Sequence, residues 1–180
     1  MIQEMWRAAS APRAFFGALE PQPPRIPRAA LAAALGFAAL ALALGLGFLR
    51  ATASDAYAPV LLFALLFGGV GFGYAWGFSS LFVQRPGELD VRAWEVSGWS
   101  WSVGLFAALS LLVPLLVFPL PALAVLLAGT LLWHLGVLRV GLSVFLGRPA
   151  WRVVVLYALF VYGFPLLILT ALLVAFSYVF

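Results

Sequence analysis

One histidine and one arginine stand inside an apolar run, LLWHLGVLRVGL at 131–142, and they are where this chain has groups able to do chemistry. An imidazole held in a membrane relays protons or contacts a ligand, and ionisable groups there mark functional sites by default. Against that stands plain structure. Neutral His134 can donate to a hydroxyl or backbone carbonyl of a neighbouring helix, and Thr130 lies one turn earlier on its own face. Arg139 lies about 7–8 Å nearer the helix end at ~1.5 Å per residue, close enough to extend its stem towards headgroups. Five residues of separation turn it about 140° from His134, so the two do not line one narrow pore face. The candidate intramembrane polar site is therefore His134, Arg139 and Thr130, with the structural reading favoured.

Other chemistries find little support. The chain has no cysteine, which removes disulfides, thiolate metal sites and thiol catalysis. With one histidine and no acid inside any apolar segment, converging metal ligands are lacking, and no metal or cofactor is expected. Gly77-Phe78-Ser79-Ser80 is a faint nucleophile turn without a matched base, so no catalytic residue is assigned and the chain is read as a non-enzyme.

Composition says what must hold these residues. The 180 residues are 66% hydrophobic and 9% charged, with a mean hydropathy of +1.13, against roughly 25% charged in soluble domains. Lipid must be the solvent around most of such a chain. Its net charge of +4 comes from ten arginines and six acids, too scattered for a nucleic-acid stripe. The expected fold is an all-α integral membrane bundle of five transmembrane helices, with apolar segments at 29–49, 57–83, 99–118, 121–146 and 151–178. Each approaches the ~20 residues that cross a bilayer. The first exceeds a signal-peptide core and reads as an uncleaved span.

Residues 1–27 precede the 28–180 membrane domain and differ from it. Two short amphipathic helices are expected, the second opened by Ser10 as N-cap and Pro12 in its first turn. They would lie in the interface with Trp6, Phe15 and Phe16 as anchors towards acyl chains. EPQPPRIPR then forms an extended linker.

Arginine placement sets the orientation. Arg7, Arg13, Arg25 and Arg28, then Arg85 and Arg92, then Arg148 and Arg152 share one side of a five-span chain, and Arg50 takes the other. The positive-inside rule gives a cytoplasmic N-terminus and an extracytoplasmic C-terminus, in the plasma (inner) membrane of a bacterium. Gly69, Gly73 and Gly77 form a ridge for close helix approach, expected to pack inside the bundle, with a homodimer as the alternative. Pro114 and Pro165 are expected to kink spans 3 and 5. The 84–98 loop is expected to be a solvated surface, its alternative use being a cytoplasmic docking site through Arg85, Glu88, Asp90 and Arg92, with Arg148 and Arg152 beside it. SLFVQRP at 80–86 and SVFLGRP at 143–149 match at four positions, which fits either a duplicated hairpin or chance.

The chain resembles the Yip1-domain membrane proteins of bacterial type. The likeness rests on the Pro12-Arg-Ala-Phe-Phe16 element, on five apolar segments, on His134, Arg139 and Phe145-Leu-Gly147 at the end of the fourth, and on Tyr157 to Pro165 in the fifth. The resemblance implies the fold and topology. The family's eukaryotic, GTPase-binding members have longer N-terminal segments than the one read here, so the resemblance carries no expectation of GTPase binding. The expected function is a non-enzymatic membrane scaffold or partner-binding factor, with the bilayer and other membrane proteins as partners. The alternative is a small transporter or channel using His134 and Arg139, and a weaker one is lipid handling through the amphipathic N-terminus and arginines.

Overall fold

A computed structural model describes residues 1–83, 90–164, 167–168 and 170–171. Among the described residues the chain is all-α, with no strand. The elements are α1 (Ile2–Ser10), α2 (Pro12–Leu19), α3 (Ile26–Thr52), α4 (Tyr57–Val83), α5 (Asp90–Ser100), α6 (Ser102–Ser110), α7 (Leu112–Val117), α8 (Pro119–Leu146) and α9 (Trp151–Ala158). A π-helical turn, Leu159–Gly163, extends α9. Among the described residues three helices are long and apolar enough to cross a membrane: Ile26–Thr52, Tyr57–Gly77 and Pro119–Leu146. The expected third span is a run broken at Trp101 and Leu111. Arg85, Glu88 and Pro165, the side chains of Asp90, Ser79 and Ser80, and residues 172–178 of the fifth segment lie outside the described residues.

Local chemistry explains the boundaries. Proline near the start of α2, α3 and α8 gives up an N–H that has no partner in a first turn anyway. Ser10 does not cap α2; its hydroxyl donates back to the Trp6 carbonyl at 2.7 Å and closes α1, and Ala11 takes the cap position. Pro114 cannot donate to Ser110, and the helix breaks at Leu111, beside that carbonyl. Gly147 ends α8 in the left-handed region with φ 61°.

The bundle is organised by contacts without intervening side chains. A Cβ on Gly36 would overlap the carbonyl oxygen of Trp101, and one on Gly104 would sit 2.7 Å from the Gly36 carbonyl oxygen. Lower down, a Cβ on Gly98 would meet the Ala29 backbone at 2.7 Å. These pairs run in register, so α3 lies parallel to the α5–α7 run. Gly68 faces Ala41 and Phe37 faces Phe72, which makes α4 antiparallel to α3. Gly47 faces Leu123 while Gly141 faces Val96, so α8 returns antiparallel to both. Arg139 over Trp151 and His134 near Tyr157 place α9 antiparallel to α8.

The N-terminal helices are part of this packing, which corrects the interfacial-anchor reading. Met5, Ala8 and Phe16 are fully buried, and Phe16 fills the space that Gly141 leaves on α8. Phe15 is half-buried with its ring edge-on to Trp99 at 5.1 Å. Of the three expected anchors Trp6 alone stays largely exposed, its ring in edge contact with Phe106, so the correction applies to Phe15 and Phe16. The Trp133 indole donates to the Ala9 carbonyl at 3.0 Å, so α1 reaches a middle turn of α8.

The 84–98 segment is corrected as well. Its second half is the start of α5, and Glu95 there is fully buried rather than solvated. Its carboxylate accepts from the Arg92 guanidinium at 2.6 Å and from the Arg25 backbone N–H at 2.9 Å. Arg92 also donates to the carbonyls of Gln22 and Glu20, so one ion pair ties the proline-rich linker to α5. Arg92 is accordingly a structural residue, its side chain only 17% exposed.

Two predictions follow from this packing. Glu95→Ala leaves the Arg92 guanidinium without its carboxylate, at an expected cost of about 3–5 kcal/mol; in a detergent-solubilised preparation, trypsin should then cut at Arg25 well before the wild type is cut there. Gly36→Ala should lower the midpoint of thermal unfolding by the equivalent of about 1–3 kcal/mol of overpacking, while Gly73→Ala, with open space around it, should leave it near the wild-type value.

Candidate functional site: a ring-lined polar cluster around His134

α8 carries Thr130 and His134 one turn apart on its inward face, and both are buried, Thr130 at 3% and His134 at 0% exposure. The break at Trp101 turns that indole onto the imidazole, with ring centroids 4.0 Å apart and planes 25° apart. From the other side come Tyr157 on α9 at 5.6 Å and Tyr162 in the π-helical turn at 6.2 Å. Phe37 of α3 continues the row behind Trp101 at 4.2 Å, then Phe72 and Trp76 of α4. Aromatic rings thus run across the bundle from α4 to α9 with His134 among them.

The cluster is rich in buried polar atoms that make no well-aligned hydrogen bond, although the Tyr157 hydroxyl lies near the Trp101 and Ser97 side chains. They include both His134 nitrogens, Thr130 Oγ1, the Tyr157 and Tyr162 hydroxyls, Trp101 Nε1 and the hydroxyls of Ser97 and Ser102. The backbone of Ser100 lies beside the imidazole, the kind of partner the sequence suggested, although the contact falls short of a well-aligned hydrogen bond. A group that is desolvated and unpaired costs on the order of 1–3 kcal/mol, so the cluster is a polar and weakly satisfied part of the described interior. The π-helical turn has a pairing of its own: the Tyr74 hydroxyl of α4 donates to the Phe160 carbonyl at 2.7 Å, tying α4 to the end of α9.

Arg139 stands apart from His134, as its angular offset on the helix requires. Its guanidinium lies over the Trp151 ring, 4.3 Å from the centroid, at the arginine-rich end of the bundle. Arg148 and Arg152 are exposed at the same end. Among the described residues no three His, Asp or Glu side chains converge.

The glycine ridge faces the other way from the expectation. A Cβ at Gly69, Gly73 or Gly77 would meet nothing within 4 Å, and it is the neighbouring Gly68 that packs against Ala41. Gly36, Gly98, Gly104 and Gly141, which also make close contacts, lie on other helices and were not singled out from the sequence. Their signal was spacing within small-residue runs, as in Ala29, Ala32, Ala33 and Gly36, all buried along one side of α3. Pro114 does interrupt its helix, as expected.

No protein-family model, curated protein or solved structure matches this chain. The Yip1 likeness therefore rests on the quoted sequence elements alone.

His134→Phe keeps a ring between Trp101 and Tyr157 and removes two buried nitrogens. If the cluster is dry, thermal unfolding in detergent should show a variant as stable as wild type or up to about 1–3 kcal/mol more stable. A loss of stability would mean that the imidazole has a polar partner in the native membrane protein.

Proposed function

We propose that this chain is a five-span, non-enzymatic protein of the bacterial inner membrane, similar to the Yip1-domain proteins, that acts as a scaffold for other membrane proteins. Its arginine-rich end and N-terminus would face the cytoplasm and its C-terminus the outside. In this reading the broken α5–α7 run and the segment beginning with α9 are the third and fifth crossings.

The observation that carries the reading is the position of α4. Only 6% of its most apolar window is buried, against 39% for α3 and 28% for α8. α4 packs on one side, through Gly68, Phe72 and Trp76, and presents Leu62, Phe63, Leu66, Phe67 and Val70 outward. Gly69 and Gly73 lie on its exposed surface, where a partner helix can approach closely and gain van der Waals contact without a hydrophobic driving force. The close covering of His134 by rings supports the same reading, since it leaves the surface as the place for recognition.

The weakly satisfied polar atoms around His134 favour a second reading, a small transporter whose polar cargo or water occupies that cluster in an opened state. Quantitative crosslinking in native membranes separates the two. Partners that are lost on Gly73→Leu and kept on His134→Phe, at equal expression, are the expected result, and a second copy of the chain among them would identify a homodimer. An unchanged partner set on Gly73→Leu, or no reproducible partner, would overturn the scaffold reading.

A further inference from the structure

A cleft of about 560 Å³ opens at the arginine-rich end of the bundle, between α2, the last turns of α8 and the turn into α9. Arg13, Gly17, Arg139, Ser143, Gly147 and Arg148 line it. Three cations from three places in the sequence thus face one space. Among the described residues none of the three is ion-paired, and no acid lines the cleft. Like charges gathered without a counter-ion repel, and an anion in the cleft would relieve that repulsion.

Its frame is fixed on both sides. Arg139 is held over Trp151. The Ser143 hydroxyl donates to the Arg139 carbonyl at 2.7 Å and accepts from the Ala150 N–H at 3.2 Å, which ties the α8–α9 turn. Gly147 takes its left-handed conformation at the rim, and a Cβ there or on Gly17 would meet nothing within 4 Å, so the cleft is open at both points. Val140 and Val144 add apolar surface to its lining. Trp151, half exposed, marks the level at which headgroups lie.

We propose that this cleft binds a phosphate group, held by Arg13, Arg139 and Arg148, carried either by an anionic phospholipid headgroup or by a free phosphate. Guanidinium forks match phosphate oxygens in pairs, and basic pockets between helices at the cytoplasmic face suit such headgroups. The site is independent of the α4 partner face and rests only on insertion of the bundle in a membrane.

Native mass spectrometry of the full chain in a zwitterionic detergent tests it, with phosphatidylglycerol competing against phosphatidylcholine of the same acyl chains. The wild type should retain phosphatidylglycerol preferentially. Arg148→Gln and Arg13→Gln should each reduce that preference about fivefold. Arg152→Gln, at the same end but outside the cleft, should leave it unchanged. Both cleft positions are exposed, and unaltered elution and melting of each variant would exclude misfolding. Adding inorganic phosphate separates the sources: lipid retained through the addition identifies a headgroup, whereas lipid stripped and replaced by bound phosphate in wild type, but not in Arg13→Gln/Arg148→Gln, identifies a free phosphate. Equal retention of the two lipids by wild type, or an Arg152→Gln effect as large as that of Arg148→Gln, would overturn the proposal.

Discussion

The Glu95 carboxylate is the group on which the arginine-rich end of this protein depends. It is fully buried, and an uncompensated charge there would cost several kcal/mol. Arg92 and the Arg25 N–H supply the compensation, and each belongs to a segment that must be brought in to supply it. Through Arg92 the linker carbonyls of Glu20 and Gln22 are drawn onto α5, and α2 is thereby set against α8. Phe16 then fills the hollow at Gly141, and Arg13 arrives beside Arg139 and Arg148. A pair that carries little net stability by itself here decides where the first 25 residues lie.

The upper part of the bundle obeys a different constraint, the absence of side chains. With Gly36 against the Trp101 carbonyl and Gly104 against Gly36, α3 and the α5–α6 run meet backbone to backbone. In lipid, where apolar surface alone does not drive helices together, such close contact contributes van der Waals cohesion. It also fixes Trp101, whose ring lands on His134. The polar cluster and the tight helix contact are two sides of one residue.

Much of the architecture was legible in the sequence. The apolar segment at 57–83 is α4 to the residue, and 121–146 differs from α8 only because Pro119, like Pro121, fits a first turn. Burial of Thr130 and His134 on one face followed from their spacing of four. What was not legible had a common cause: residue type was taken for environment. Arg92 and Glu95 read as solvated because they are charged, yet at i, i+3 on a helix they neutralise each other and can be buried. Phe16 read as a lipid anchor because it is aromatic, and nothing local showed that Gly141, 125 positions later, would leave room for it. Gly69, Gly73 and Gly77 formed the clearest small-residue pattern, but pattern gives a face and not the direction in which that face turns.

The central claim is that the N-terminal helices are built into the membrane domain. Because the chain has no cysteine, single substitutions report on it directly. Ala8 is fully buried and Ala18 is exposed, so Ala8→Cys and Ala18→Cys should differ sharply in their rate of labelling by a water-soluble maleimide in the detergent-solubilised protein. The account predicts rapid labelling at position 18 and protection at position 8 that is lost when Glu95→Ala is added. Equal, rapid labelling at both positions in the otherwise wild-type chain would contradict it.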